Sequence, residues 1–126
     1  MKPAIKVLGV PDDINSSFMR GSSAAPPLIR EALYSASSNL FSESGLNLDQ
    51  KSIWEDLGDI EFVGEVAVEK FKKIKRFVKD VLASDQKLVS LGGDHSVSWP
   101  ILDAHLDKWD ALDLSLIHIS EPTRPE

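Results

Sequence analysis

The chain contains no cysteine, which excludes disulfides, thiolate catalysis and cysteine-based zinc sites together. Basic residues are in the minority, with 14 Lys and Arg against 20 Asp and Glu and a formal net charge of −6. Such an acidic balance argues against a dedicated nucleic-acid binder, which carries a basic excess. No apolar run approaches the roughly 18 residues that a membrane-spanning helix needs. The opening stretch, Met1 to Val10, lacks the longer apolar core and small-residue cleavage site of a signal peptide, so a cytoplasmic location is expected. Internal repeats are also missing. What is present is ordinary: 126 residues, enough for one domain at most, with 42% hydrophobic and 27% charged residues. Disorder over the whole length is therefore not expected.

Strand and helix signals alternate. Ala4 to Val10 is a short apolar run closed by Pro11-Asp12-Asp13, which reads as a buried strand feeding a loop. The loop Asn15 to Ser23 is polar, with Gly21 as its expected positive-φ position, and is read as structural. Pro26-Pro27 opens a helix through Leu33, since proline is tolerated in a first turn. Ser35 to Gly45 is serine-rich and irregular. Ile53 to Ile60 reads as a second strand that breaks at Gly58. Ala67, Phe71, Ile74, Val78 and Val81 then mark one apolar face of a helix. Lys72, Lys73, Lys75, Arg76 and Lys79 fall mostly off that stripe, a solvated face rather than a nucleic-acid patch. Lys87 to Leu91 is a third strand, and Ser98, a candidate N-cap, starts another helix with Pro100 in its first turn. The alternation predicts a mostly parallel sheet covered on both faces.

Gly92-Gly93-Asp94-His95 follows the third strand, where open α/β sheets bind their ligands. Two glycines let the backbone turn and approach a ligand, while Asp94 and His95 bring polar groups to the crevice. The bland alternative is a turn with an exposed histidine. An anion-binding turn at a helix start is a third reading, weakened because neither Walker nor GxGxxG spacing is present. Asp103-Ala104-His105-Leu106-Asp107 looks like a metal cluster, yet on a helix the i+2 residue points roughly 200° away from the i and i+4 pair.

The string LVSLGGDHS, preceded by GVPDDINSSFMRGSSAAPPLIREAL and DLGDI and followed by SWPILDAH, resembles the amino-terminal part of the ureohydrolase family of arginases and agmatinases. The resemblance spans nearly all of residues 4–113. It implies an arginase-like three-layer α/β/α fold with a mostly parallel sheet, here truncated after about three strands. It also implies a manganese-dependent hydrolase with a binuclear Mn²⁺ site, acting on the C–N bond of a linear amidine. Agmatine is the first expected substrate, and arginine or another guanidino or formimino acid the next. In such a site two cations acidify a shared water to supply hydroxide to a poorly electrophilic guanidinium carbon. By motif match His95 corresponds to the first metal-ligand histidine, with Asp94, Gly92 and Gly93 supporting the turn. A homo-oligomeric full-length parent is implied as well, with no nucleic-acid or membrane partner.

The family's Asp-Ala-His-x-Asp motif lies at the end of the next strand, so the DAHLD at 103–107, within the helix after His95, is a decoy. Where the motif should stand, the sequence reads LSLIHISEPTRP, similar to the translation of a sequencing-library adapter. Native sequence is accordingly expected over 1–113, with 114–126 a non-native tail in which His118 is no ligand. One histidine cannot hold two manganese ions, so the chain by itself is expected to be inactive. It is also expected to fold poorly, with an open sheet edge. A complete small anion-binding module without catalysis is the alternative of a different class.

Overall fold

The computed structural model describes residues 3–114, and the expectations for 115–126, His118 among them, lie outside the described residues. Three parallel strands, β1 (Ile5–Val10), β2 (Trp54–Asp59) and β3 (Lys87–Gly92), form a sheet in the order β2-β1-β3. Three helices connect or follow them: α1 (Ala25–Leu33), α2 (Ala67–Ala83) and α3 (Ser98–Leu106).

The period-2 alternation of β1 sorts its side chains onto two faces. Leu8 and Val10 are buried against Ile74, Val78 and Leu82 of α2, Val97, and Ala104 of α3, which together with Ile60 make the main core. Ile5 and Val7 face the opposite way, toward Ile29 and Leu33 of α1. The sheet is therefore sandwiched between α1 on one face and the packed pair α2 and α3 on the other. This is the three-layer arrangement expected from the alternation.

Helix α2 forms because its apolar residues recur at helical spacing, and Ile74, Val78, Val81 and Leu82 are the ones buried. Glu69 in its first turn accepts a hydrogen bond from the Val66 N–H at 3.4 Å and complements the helix dipole. The lysines off the stripe are more than solvated. Lys75 reaches Asp103 at 2.8 Å and Asp107 at 3.2 Å, and Lys79 reaches Asp107 at 3.2 Å, latching α2 to α3. Lys108 donates to the Leu82 carbonyl at 2.6 Å, satisfying an orphan acceptor at the end of α2.

Two local expectations are corrected. Strand β2 does not break at Gly58. It bulges there, so that Val7 pairs with Asp56 but Gly9 pairs with Asp59. Ser98 is not an N-cap either: a single 3-10 turn, His95–Val97, runs directly into α3, and Asp94 caps that turn through a bond from the Ser96 N–H.

The two sheet edges differ. On the α1 face of β2, Arg30 forks onto Asp56, with Nε 2.6 Å and Nη2 2.8 Å from its two oxygens, and also reaches Asp59. The Arg30 guanidinium holds the Asp56 carboxyl below the usual carboxylate range, against some opposing desolvation. β3 pairs with β1 in unbroken register, leaving Val89 47% exposed. Among the described residues no helix is long and apolar enough to cross a membrane.

Candidate functional site

The chain leaves β1 for β2 on one side and returns through α2 to β3 on the other. The strand order therefore reverses at β1, and the carboxyl ends of β1 and β3 flank the switch point where ligands bind in open sheets. Two segments meet there: Pro11 to Asn15 after β1, and Gly93 to Ser96 after β3.

Their contact begins with backbone. The Asp94 N–H donates to the Asp12 carbonyl at 2.9 Å. A Cβ on Gly93 would overlap that carbonyl oxygen and lie 2.6 Å from the Val10 oxygen. Gly93 is thus required for space where the turn meets the end of β1. Gly92 has only the Val97 Cγ2 methyl, at 3.2 Å from a built Cβ, near it.

Side chains complete the junction. Asp94 Oδ2 accepts from the Asn15 N–H at 2.9 Å, and Oδ1 accepts from the Ser96 N–H at 2.9 Å and from the Ser96 hydroxyl. The Asn15 amide in turn donates to Ser96 Oγ at 3.3 Å. Both carboxylate oxygens of Asp94 are therefore engaged in holding the turn. Farther along the loop, Asp13 Oδ2 gathers the Gly21 N–H at 2.7 Å, the Ser23 N–H at 3.2 Å and the Ser23 hydroxyl at 2.9 Å. These bonds, the Gly21 amide foremost, draw the Asp13 carboxyl below its usual range. They close residues 13–23 into a ring in which Gly21 takes φ 138°.

His95 begins the 3-10 turn, exposed at the carboxyl end of β3. Beneath the junction Asp12, 7% exposed, is paired with Lys70 of α2 at 2.9 Å. That ammonium also lies 5.3 Å from the centre of the Phe62 ring. Sequence reading missed this pair and the partnership of Asn15 with Asp94, because 58 and 79 residues separate the members. A local signal existed only for Asp94, whose spacing to Ser96 is that of a capping turn.

The DAHLD segment does not converge. Asp103 and Asp107 are spent on Lys75 and Lys79, which hold the Asp107 carboxyl low. His105 lies off that pair, its Nδ1 2.7 Å from the Ile101 carbonyl and its ring stacked on Trp109 at 5.7 Å. Among the described residues no three His, Asp or Glu side chains come together as a metal-holding group. The described residues by themselves therefore do not fit a two-metal centre, and His95 stands outside any such group among them.

The protein-family model described as the arginase family matches residues 3–120. The chain belongs to the arginase family. Arginase 1, mitochondrial, of Oryza sativa subsp. indica is 35% identical over 135 residues, covering 90% of this chain and 40% of the rice protein. An agmatinase of Bacillus cereus is 31% identical over 122 residues, covering 94% of the chain and 40% of its own length. The solved arginase of Medicago truncatula superposes with a TM-score of 0.77 at 35% identity, covering 85% of the chain and 36% of that structure. The chain spans about 31–40% of the length of the curated relatives it matches. The arginase-like three-layer fold and the family resemblance of the sequence both stand.

Proposed function

We propose that this chain supplies the β1–β3 portion of a hydrolase that cleaves the C–N bond of a guanidino compound to give urea and an amine. The observation that carries this reading is the His95 turn, seated at the topological switch point of an arginase-family fold. In this reading the chain's contribution is positional: Gly93 and Asp94 hold the turn, and His95 offers one neutral imidazole to a manganese centre. The other metal ligands come from outside these residues, and the 126-residue chain alone is inactive. Arginine is placed ahead of agmatine as substrate, reversing the order expected from sequence, because the plant arginases are 35–39% identical and the bacterial agmatinases 29–31%, while a solved Bacillus subtilis arginase, at 29%, favours neither.

The test is to sequence the source gene through and past codon 113, express the full product, and measure Mn²⁺-dependent urea release from arginine and from agmatine. Release from arginine at the higher kcat/KM supports the proposal. Release from agmatine alone restores the first ordering. A full product that releases no urea from either with Mn²⁺ present removes the reading. A gene that ends in the LSLIHISEPTRPE frame would bring forward the small anion-binding module at Gly92-Gly93.

A further inference from the structure

The Asn15–Ser23 loop has no role in the reading above, yet the structure ties it to the histidine turn more firmly than a connecting loop needs. Its entry is bound to the turn at three points: Asp12 C=O to Asp94 N–H at 2.9 Å, Asn15 N–H to Asp94 Oδ2 at 2.9 Å, and Asn15 Nδ2 to Ser96 Oγ at 3.3 Å. Its exit is bound to its entry through Asp13, which holds Gly21 and Ser23. Between these pins runs a short arc, Ser16 to Arg20, in which Phe18 is 93% exposed and Met19 69%. A loop serving only to connect β1 to α1 would be held by the elements it joins. This one is held by a carboxylate 79 residues away, the immediate neighbour of His95.

We propose that Asp94 is a positioning residue that makes the Asn15–Ser23 loop one wall of the His95 crevice, so that loop and histidine are set as a unit. Its carboxylate accepts from both segments at once, each oxygen serving one side. A charged acceptor strengthens such bonds relative to neutral ones, and one that spans two segments couples their positions. On this account the loop, with the Asn15 amide at its base, borders the space that a guanidino compound would enter. The inference deepens the proposed function and rests on it for the identity of that ligand. The coupling itself is a property of this chain alone.

The test uses the full product of the source gene without metal, so its outcome does not depend on activity. Asp94→Asn removes one charged acceptor while keeping the side chain's shape. Its effect is read at the far end, by amide hydrogen exchange of Asn15 to Ser17, with the amides of Leu8 and Val10 as a control for folding. Exchange in the loop is expected to rise at least tenfold while the β1 amides keep their protection. Asn15→Gly, which deletes the amide bond to Ser96, is read in the opposite direction, at the His95 ring resonances by NMR, which should shift. Ser96→Ala, milder than Asp94→Asn, keeps the question answerable if the latter unfolds the chain, and should raise loop exchange in the same direction by a smaller factor. Loop exchange changed less than twofold in whichever of these variants stays folded, or a His95 ring that does not respond to Asn15→Gly, overturns the proposal. Failure of urea release in the full product would leave these readouts untouched and would instead remove the function reading.

Discussion

Replacing Gly93 by alanine tests whether the histidine turn is held against β1 as described. The added Cβ overlaps the Asp12 carbonyl oxygen and lies 2.6 Å from the Val10 oxygen and 3.1 Å from the Asp12 nitrogen. All three are backbone atoms, so no rotamer change can relieve the overlap. Relief requires the turn to lift off β1, which breaks the 2.9 Å bond from the Asp94 N–H to Asp12 and loosens the Asp94–Asn15 bond. Overpacking costs about 1–3 kcal/mol and a lost backbone bond about 1 kcal/mol, so the expected destabilisation is about 2–4 kcal/mol. Gly92→Ala is the matched control. Its Cβ meets only a methyl group of Val97, at 3.2 Å, which can yield, and its cost should stay within about 1 kcal/mol. Urea denaturation of the two variants beside the parent reads the difference, since a loss of this size lowers the midpoint by roughly 1 M or more. Equal midpoints for the two alanine variants would refute the close approach of Gly93 to β1.

Arg30→Lys should destabilise by about 1–3 kcal/mol, because an ammonium cannot reproduce the bidentate fork onto Asp56 while reaching Asp59; a midpoint unchanged in urea would contradict this. The Asp56 carboxyl is depressed by Arg30, so its contribution is present above the unfolded aspartate value near 3.8 and disappears as pH falls through its lower folded value. An acid titration of stability should therefore lose this contribution below about pH 4, and Arg30→Lys should flatten that loss. Ile74→Ala, 2% exposed in the main core, should cost about 2–5 kcal/mol by chemical denaturation. Phe77→Ala, on the same helix but 39% exposed, should cost clearly less.

What was legible in the sequence was what short-range pattern encodes. The apolar run of β1, the 4, 3, 4, 3 spacing of α2 and the Pro26-Pro27 helix start are dictated within a few residues, and each formed where expected. The position of the His95 turn at a strand end was legible for the same reason. Two misreadings came from local rules overridden by neighbours. Gly58 suggested a stop, but pairing with β1 continues across it as a bulge. Ser98 has the chemistry of a cap, but Asp94, four residues earlier, takes the role because a 3-10 turn precedes the helix. The junction of the site was illegible because Asp12, Asn15, Lys70 and Asp94 come together only through the β2-β1-β3 order. Periodicity alone argues against the helical DAHLD as a metal cluster, and its carboxylates are occupied by lysines of the neighbouring helix.

In the proposed function this chain contributes one histidine turn to the site, and its described residues hold no complete metal centre. Titration of the 126-residue chain with Mn²⁺, followed by the EPR signal of the free ion and by urea release from arginine, tests it most directly. At most one weakly held ion, lost in His95→Ala, and no urea are expected. Two tightly held ions per chain with Mn²⁺-dependent urea release would contradict it.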